Sequence, residues 1–273
     1  MKNDKPAYRI FKKNKSPVQY HELLKDACRS DIVFFGELHD NPICHWLELE
    51  LAMDLFSSRG GNLVLGGEMF DTDNSIIIDE YLAGLISESY FESQCRLWPN
   101  YDTDYKPLLE FARENKIPFI ATNIPRRYAG VVLEKGFEGL AELSDRAKEY
   151  FPPMPVRFDP DLESYRRITG LFNESGEHPV CELLPRAQAV KDATMAWSIL
   201  RNWSQGKTFL HLNGTYHTDN FEGIGWYLRL DKPDLKILTL SSVITDDPDD
   251  TDSIDSCPAD YILCIPGRMT RTY

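Results

Sequence analysis

Three short segments of this sequence place imidazole and carboxylate groups where they could do chemistry. Glu37 and His39 lie in the motif GELH, His217 ends the related motif GTYH, and Glu68 follows two glycines in GGE. Imidazole and carboxylate together are common ligands of divalent transition metals, and they also serve in general acid–base catalysis. An imidazole can equally be an axial ligand of haem iron. The motifs by themselves leave these three kinds of chemistry open.

Each of the three segments follows a short apolar run. The run before Glu37 is IVFF, which is β-branched or aromatic and too short for a helix, so it predicts a buried strand. In a parallel sheet the carboxyl ends of the strands meet at one edge, where open α/β folds place their ligand crevices. We therefore expect Glu37, His39, Glu68 and His217 to form one site. We also expect His217→Ala to weaken ligand or metal binding and to leave the melting temperature nearly unchanged.

Other polar residues are expected near the same edge. Asn123 and Arg126 follow a third apolar run, and a guanidinium such as that of Arg126 could pair with a carboxylate, including a haem propionate. Asp192, in a mostly apolar helical segment, needs a partner if it is buried, and Gln188 lies one turn earlier on the same face. These two either point into the crevice or form a satisfied buried pair. His45 is interpreted as a helix-surface or core-edge residue, and His211 as a packing residue within a strand.

The order of the elements predicts an α/β fold, a three-layer α/β/α arrangement around a mainly parallel sheet. Asn41 and Pro42 are a good N-cap and first turn for a helix that runs to about Ser58, where two glycines end it. Strands are expected at about 32–35, 62–66, 117–121, 207–212, 235–240 and 261–265. We predict a single domain over 1–273, with a core at 31–127 and 207–265. A helical insertion at about 128–205 is expected to cover the strand ends.

Composition excludes several classes of protein. The net charge of -13, without any Lys/Arg cluster, argues against a nucleic-acid partner. No apolar run of 18 residues exists, so no transmembrane segment is expected. The six cysteines form no Cys-x-x-Cys pair, which favours buried free thiols over a zinc or redox site. The first residues lack an apolar signal core, so the protein is either cytoplasmic or has had a signal sequence removed.

Several stretches resemble the ChaN-like haem-binding uptake proteins of the Tiki superfamily. They occur in the family's order from about Asp31 to Leu240 and read VFFGELHDNPICHWLELEL, NLVLGGEMFD, NYDTDYKPLLEFARE, ATNIPRR, QAVKDATMAWSI and GTYHTDNFEGIGWYL. The resemblance implies the α/β/α fold with its helical insertion and a role in bacterial haem or iron acquisition, often as an envelope lipoprotein. Other branches of the superfamily are metal-dependent peptidases and erythromycin esterases. No lipobox cysteine is present, because Cys28 lies just before the first core strand.

The resemblance carries the family's motif residues onto this chain residue by residue. It places the motif glutamates on Glu37 and Glu68, the motif histidines on His39 and His217, and the turn after the third strand on Asn123, Pro125 and Arg126. We expect a haem-binding protein of iron or haem acquisition, located in the cell envelope and able to form a homodimer. Its expected haem-binding residues are His39, Asn123, Arg126, Tyr216 and His217.

The alternative is a metal-dependent hydrolase, a peptidase or an esterase. In that case Glu37, His39, Glu68 and His217 hold a divalent transition metal and catalyse the reaction, with the insertion as a lid. The two hypotheses differ in the site they require. Haem binding predicts a broad apolar wall, whereas a hydrolase predicts a tight polar pocket with three ligands and an open position.

Overall fold

The computed structural model describes residues 5–173, 180–251, 254 and 259–273. Its strands are β1 (Arg9–Lys12), β2 (Pro17–Val18), β3 (Ile32–Glu37), β4 (Leu63–Asp71), β5 (Phe119–Asn123), β6 (Thr208–Gly214), β7 (Ile237–Thr245) and β8 (Tyr261–Pro266). They form one eight-stranded sheet in the order β2-β1-β8-β7-β3-β6-β4-β5. The pairs from β8 through β5 are parallel, and β1 pairs antiparallel with both β8 and β2. The mainly parallel α/β fold predicted from the sequence is confirmed.

Ten α-helices surround this sheet in the described part of the chain. They are α1 (Tyr20–Ala27), α2 (Pro42–Ser58), α3 (Ser75–Leu82), α4 (Glu88–Gln94), α5 (Lys106–Asn115), α6 (Arg126–Lys135), α7 (Glu138–Ala141), α8 (Glu163–Asn173), α9 (Val180–Asn202) and α10 (Ile224–Asp231). A π-helical turn, Tyr101–Tyr105, precedes α5. None of the described helices combines the length and the apolar character needed to cross a membrane.

The two helical layers bury opposite faces of the sheet. Along a strand, successive side chains point to opposite faces, so Phe35 packs into a core that includes Leu51 of α2, while Phe34 packs into a second core that includes Ile199 of α9 and Leu228 of α10. Both faces of the central strands are covered, which explains why these strands are continuous apolar runs without alternation.

Helix α2 begins and ends as the sequence predicts. The Asn41 side chain accepts a hydrogen bond from the Ile43 N–H, and Pro42 occupies the first turn, where its missing N–H is not needed. After Ser58, Gly60 adopts a positive φ of 59°, and the Gly61 N–H donates to the Phe56 carbonyl at 2.9 Å. This helix therefore has fixed ends, and its first turns lie next to the end of β3.

Several strands extend further than predicted, and for β4 and β6 the difference matters for the site. Strand β4 continues to Asp71, so Glu68 lies within a strand and not in a turn after it. Its pairing with β5 is irregular between Gly67 and Asp71, which re-aims the side chains there. Strand β6 runs through Gly214, which pairs with Glu37 of β3. The parallel register thus puts the two Gly-x-x-His motifs side by side.

The described cysteines agree with the expected free thiols. Cys28, Cys44, Cys95 and Cys264 are all unbridged, and the last three are buried. The Cys181 side chain and Cys257 lie outside the described residues, as does His178.

Candidate functional site

His39 is held by a buried glutamate at the end of β3. Its Nδ1 donates to Glu37 Oε1 at 2.7 Å, and the Tyr105 hydroxyl donates to the same oxygen at 2.6 Å. The His39 ring lies edge-on to Trp98 with the centroids 4.9 Å apart, and its side chain is 37% exposed. Because Nδ1 is hydrogen-bonded to Glu37, Nε2 is the ring nitrogen whose lone pair can still bind a ligand.

The β6 turn brings this histidine close to Glu68. A Cβ on Gly214 would lie 2.7 Å from His39 Nε2 and 3.6 Å from Glu68 Oε2. The Gly214 N–H donates to the same Glu68 oxygen at 2.8 Å. Glycine is therefore required where β6 ends, because a side chain there would occupy the space of the imidazole.

His217 is clamped between two buried carboxylates. Its Nε2 lies 3.1 Å from Glu68 Oε1, and its Nδ1 is hydrogen-bonded to Asp192. The second Asp192 oxygen accepts from the Tyr165 hydroxyl at 2.8 Å, and the Gln188 amide nitrogen lies 3.0 Å from His217 Nδ1. Asp192 and Gln188 of α9 thus reach His217 at the strand ends. Of the two alternatives left open by the sequence, the structure shows contacts at the crevice edge for both residues.

The charges of this network follow from its burial and its pairing. Burial alone would lower the pKa of His217, but the charges of Glu68 and Asp192 outweigh it and raise the pKa to about 9. For Glu68 burial opposes ionisation, yet His217 and the Gly214 N–H hold its pKa well below the usual range. The pKa of His39 is raised, because the hydrogen bond and charge of Glu37 outweigh burial. Burial, with the charge of Glu48 nearby, raises the pKa of Glu37 to about 7.

The predicted site residues differ in whether these contacts leave an atom free to bind a ligand. The structure joins Glu37, His39, Glu68 and His217 into one network, and their roles stay predictions. Both nitrogens of His217 contact carboxylates in this arrangement, so a role as metal or haem ligand, which stays a prediction, would require one of these contacts to break. His39 keeps a free nitrogen. Of the four predicted metal ligands, only Glu37 belongs to a group with metal-ligand spacing among the described residues.

A polar cavity of about 260 Å³ opens beside Glu68. Asn123 and Arg126, both predicted, line it together with Trp98 and the cations Arg96 and Lys191. The Asn123 amide donates to the Glu68 carbonyl at 3.1 Å, and its buried Oδ1 has no hydrogen-bond partner in the described part of the chain. The cavity is below the roughly 300–1,000 Å³ of pockets for drug-sized ligands, so it suits a small group and not an entire porphyrin.

Tyr216 lies outside this cavity. It is 51% exposed on the turn between β6 and α10, and the Arg167 guanidinium lies 5.9 Å from its ring centroid. A phenol with a nearby cation is a suitable iron ligand, so its predicted haem-binding role stays open.

A second buried group of ionisable side chains lies next to Glu37 and was not predicted from the sequence. His45 and Glu48 of α2 and Asp104 of the π-helical turn are all buried, although His45 had been interpreted as a helix-surface or core-edge residue. The available signal was the spacing of His45 and Glu48, which puts both on one helix face. His211, by contrast, is buried in β6 as expected, where burial lowers its pKa to about 4.

Comparisons with known proteins give one family match and several proteins of similar fold or sequence. The family model described as "Haem-binding uptake, Tiki superfamily, ChaN" matches residues 23–228. The solved structure "Cofacial heme binding to ChaN of Campylobacter jejuni" superposes with a TM-score of 0.68 and 17% identity, covering 95% of this chain and 97% of that one. A Bacillus cereus protein shares the fold at a TM-score of 0.50, with 12% identity and 90% of each chain covered.

One curated relative comes from a plant. "Protein RETICULATA-RELATED 5, chloroplastic" of Arabidopsis thaliana is 27% identical over 190 residues. The match covers 64% of this chain and spans only 25% of the plant protein. Similarity of this extent relates the two sequences without assigning the plant protein's role to this chain.

Proposed function

Because this chain belongs to the haem-binding uptake family of the Tiki superfamily, represented by ChaN, we propose that it binds haem at the carboxyl ends of its parallel strands. The observation that carries the proposal is the state of His39. Its Nδ1 is fixed by Glu37, its Nε2 is free, and its side chain is partly exposed. An imidazole whose second nitrogen donates to a carboxylate is a well-oriented iron ligand.

The surroundings of His39 suit the rest of a haem group. The Trp98 ring next to it offers an aromatic surface for the porphyrin, and Arg126 and Lys191 line the cavity that could take one propionate. In this proposal the porphyrin lies across the mouth of the cavity, since the cavity is too small to enclose it. Tyr216 is the alternative iron ligand, with Arg167 beside it.

We extend the proposal to haem or iron acquisition by a bacterial envelope protein that forms a homodimer. The family model names haem uptake, and the Campylobacter jejuni relative binds haem cofacially. Two haems face to face would be shared most simply by two copies of one chain. Cell fractionation tests the location, and light scattering with and without haemin tests the dimer.

Haemin titration of the purified protein tests the binding itself. We expect a saturable shift of the Soret band, and we expect His39→Ala to weaken binding at least about tenfold, since it removes an iron ligand. His21→Ala is the matched control, because His21 is exposed on α1. Tyr216→Phe, with the exposed Tyr90→Phe as its control, tests the alternative ligand. Saturable binding unchanged in both His39→Ala and Tyr216→Phe would contradict the proposed site.

A hydrolase is the second candidate, and the small polar cavity favours it. His39 oriented by Glu37 is also the arrangement of a general base and its orienting carboxylate, and Glu68 with the His217 imidazolium supplies fixed charges nearby. Absence of a saturable Soret shift, together with turnover of model esters or peptides that His39→Ala abolishes, would favour this function over haem binding.

A further inference from the structure

A second cluster of ionisable side chains lies next to Glu37 and contains none of the residues assigned to haem. His45 Nδ1 lies 3.1 Å from Glu48 Oε2 and 4.0 Å from Glu37 Oε2. One ligand atom from each of the three residues can be chosen so that all lie within 4.8 Å of one another. The three side chains are between 1% and 4% exposed. This is the spacing and the burial of a metal site.

Local structure explains why these groups converge. Glu37 is the last residue of β3, and His45 and Glu48 lie one turn apart on the face of α2 that meets the strand end. On the other side of the cluster, the π-helical turn Tyr101–Tyr105 supplies Asp104 and the Tyr105 hydroxyl that bonds Glu37. π-Helical turns occur frequently at functional sites, because they re-aim side chains that a regular helix would point elsewhere.

Two oxygens of this cluster are buried without a partner. Glu37 Oε2 and Glu48 Oε1 are inaccessible to solvent and accept no hydrogen bond from the described residues. The ion pairs of these carboxylates within the described chain are with histidines alone, and no lysine or arginine contacts them. Buried carboxylates without a cation are costly, so a cation or a shared proton must occupy the space between them.

The orientation of His45 favours a metal ion over a proton. Its Nε2 lies 3.1 Å from the His39 carbonyl oxygen and 3.4 Å from Asp104 Oδ2, so this nitrogen carries the hydrogen. In the neutral imidazole, the lone pair of Nδ1 then faces Glu37 and Glu48. Metal-binding histidines characteristically donate their other N–H to a carbonyl or a carboxylate in this way, which fixes the tautomer and the ring.

We propose that Glu37, His45 and Glu48 bind one divalent transition-metal ion, such as Zn²⁺ or Mn²⁺. One imidazole and two carboxylates suit ions of this class. Glu37 would then link two sites, because its Oε1 holds His39 and its Oε2 faces the ion. The ion is therefore a positioning element for His39, in addition to any haem that the protein binds.

Metal analysis of chelator-treated protein, reloaded with Zn²⁺ or Mn²⁺ and desalted, tests this proposal. We expect one ion per chain in the wild type, and at least about tenfold weaker binding in Glu48→Gln and His45→Gln, since each change removes a ligand. Glu50→Gln is the matched control, because it lies on the same helix outside the cluster. Glu68→Gln changes a carboxylate of the neighbouring network that is not a proposed ligand, so this variant should retain the ion.

Three outcomes would overturn the proposal. A wild-type chain that binds no ion would mean that a proton occupies the carboxyl pair, and this result does not depend on the folding of any variant. Loss of the ion in Glu68→Gln with retention in Glu48→Gln would show that the ion is bound near Glu68 and not between Glu37, His45 and Glu48. Equal loss in Glu50→Gln would show an effect of the helix and not of the ligands. Metal content is measured without haem, so its failure is distinct from failure of haem binding.

Discussion

At the level of single residues, the pairing of His217 decides what it can do. Both ring nitrogens contact carboxylates in a buried setting, which stabilises the imidazolium and removes its lone pairs. The same residue type at His39, with one nitrogen bonded and one free, can act as a ligand or a base. Two histidines in matching Gly-x-x-His motifs therefore have different chemistry because their neighbours differ.

The charge of His217 predicts a pH dependence of stability. Its pKa is raised from 6.5 to about 9 in the folded protein, so its contribution is fully present below about pH 6.5 and is lost as the pH rises through about 9. A rise of this size corresponds to about 3 kcal/mol. Urea unfolding between about pH 6 and pH 10 should show this loss in the wild type and a smaller one in His217→Gln. Identical pH profiles would contradict the paired imidazolium.

The structure also changes the expected effect of His217→Ala. From sequence alone we expected an almost unchanged melting temperature. Among the described residues, however, removing the imidazolium leaves the buried Asp192 carboxylate bonded to the Tyr165 hydroxyl and leaves the Glu68 carboxylate bonded to the Gly214 N–H. Breaking a buried ion pair by removing one partner typically costs about 3–5 kcal/mol. We now expect a clear fall in the melting temperature, to be measured by calorimetry beside His21→Ala.

At the level of elements, the fit between the end of β6 and His39 depends on Gly214. Its φ of -59° is open to any residue, so the constraint is space and not backbone strain. In Gly214→Ala the new methyl group would overlap the His39 ring. We expect the ring to move, haemin affinity to fall about tenfold, and the unfolding free energy to drop by about 1–3 kcal/mol, the usual cost of overpacking.

Gly130→Ala is the matched control for that experiment. Gly130 lies within α6, and a Cβ there would meet no atom of the described chain within 4 Å beyond its chain neighbours and its own helix backbone. Alanine in a helix interior stabilises by roughly 0.5–1 kcal/mol over glycine, so this variant should be slightly more stable and should bind haemin normally. Similar haemin affinities for the two variants would argue against His39 as the iron ligand.

At the level of the whole molecule, we predict that the helical insertion and the sheet unfold together. Leu51 of α2 and Ile199 of α9 are both fully buried, on opposite faces of the sheet. Replacing either with Ala should cost about 2–5 kcal/mol and shift one common transition, seen alike by circular dichroism and tryptophan fluorescence. Two separate transitions, with Ile199→Ala affecting only one of them, would show that residues 128–205 form an independent domain.

The sequence by itself determined the elements and the edge at which chemistry is concentrated. Residues 32–35 are recognisable as a strand because they are apolar and β-branched or aromatic, and α2 is recognisable from Asn41 and Pro42. These signals are local, because strand propensity, capping and turn residues act within a few positions. Parallel strands then bring Glu37, Glu68 and the two motif histidines to the same edge of the sheet.

Only the tertiary structure decided which of these groups pair and which stay free. The contact of Asp192 with His217 joins residues 25 positions apart, and that of Glu68 with His217 joins residues 149 apart. Neither is encoded in a local pattern. The burial of His45 and Glu48 against Glu37 likewise depends on how α2 and the π-helical turn pack on β3. Burial and pairing set the charge and the free lone pairs of each group, so the chemistry of the site is a property of the packing.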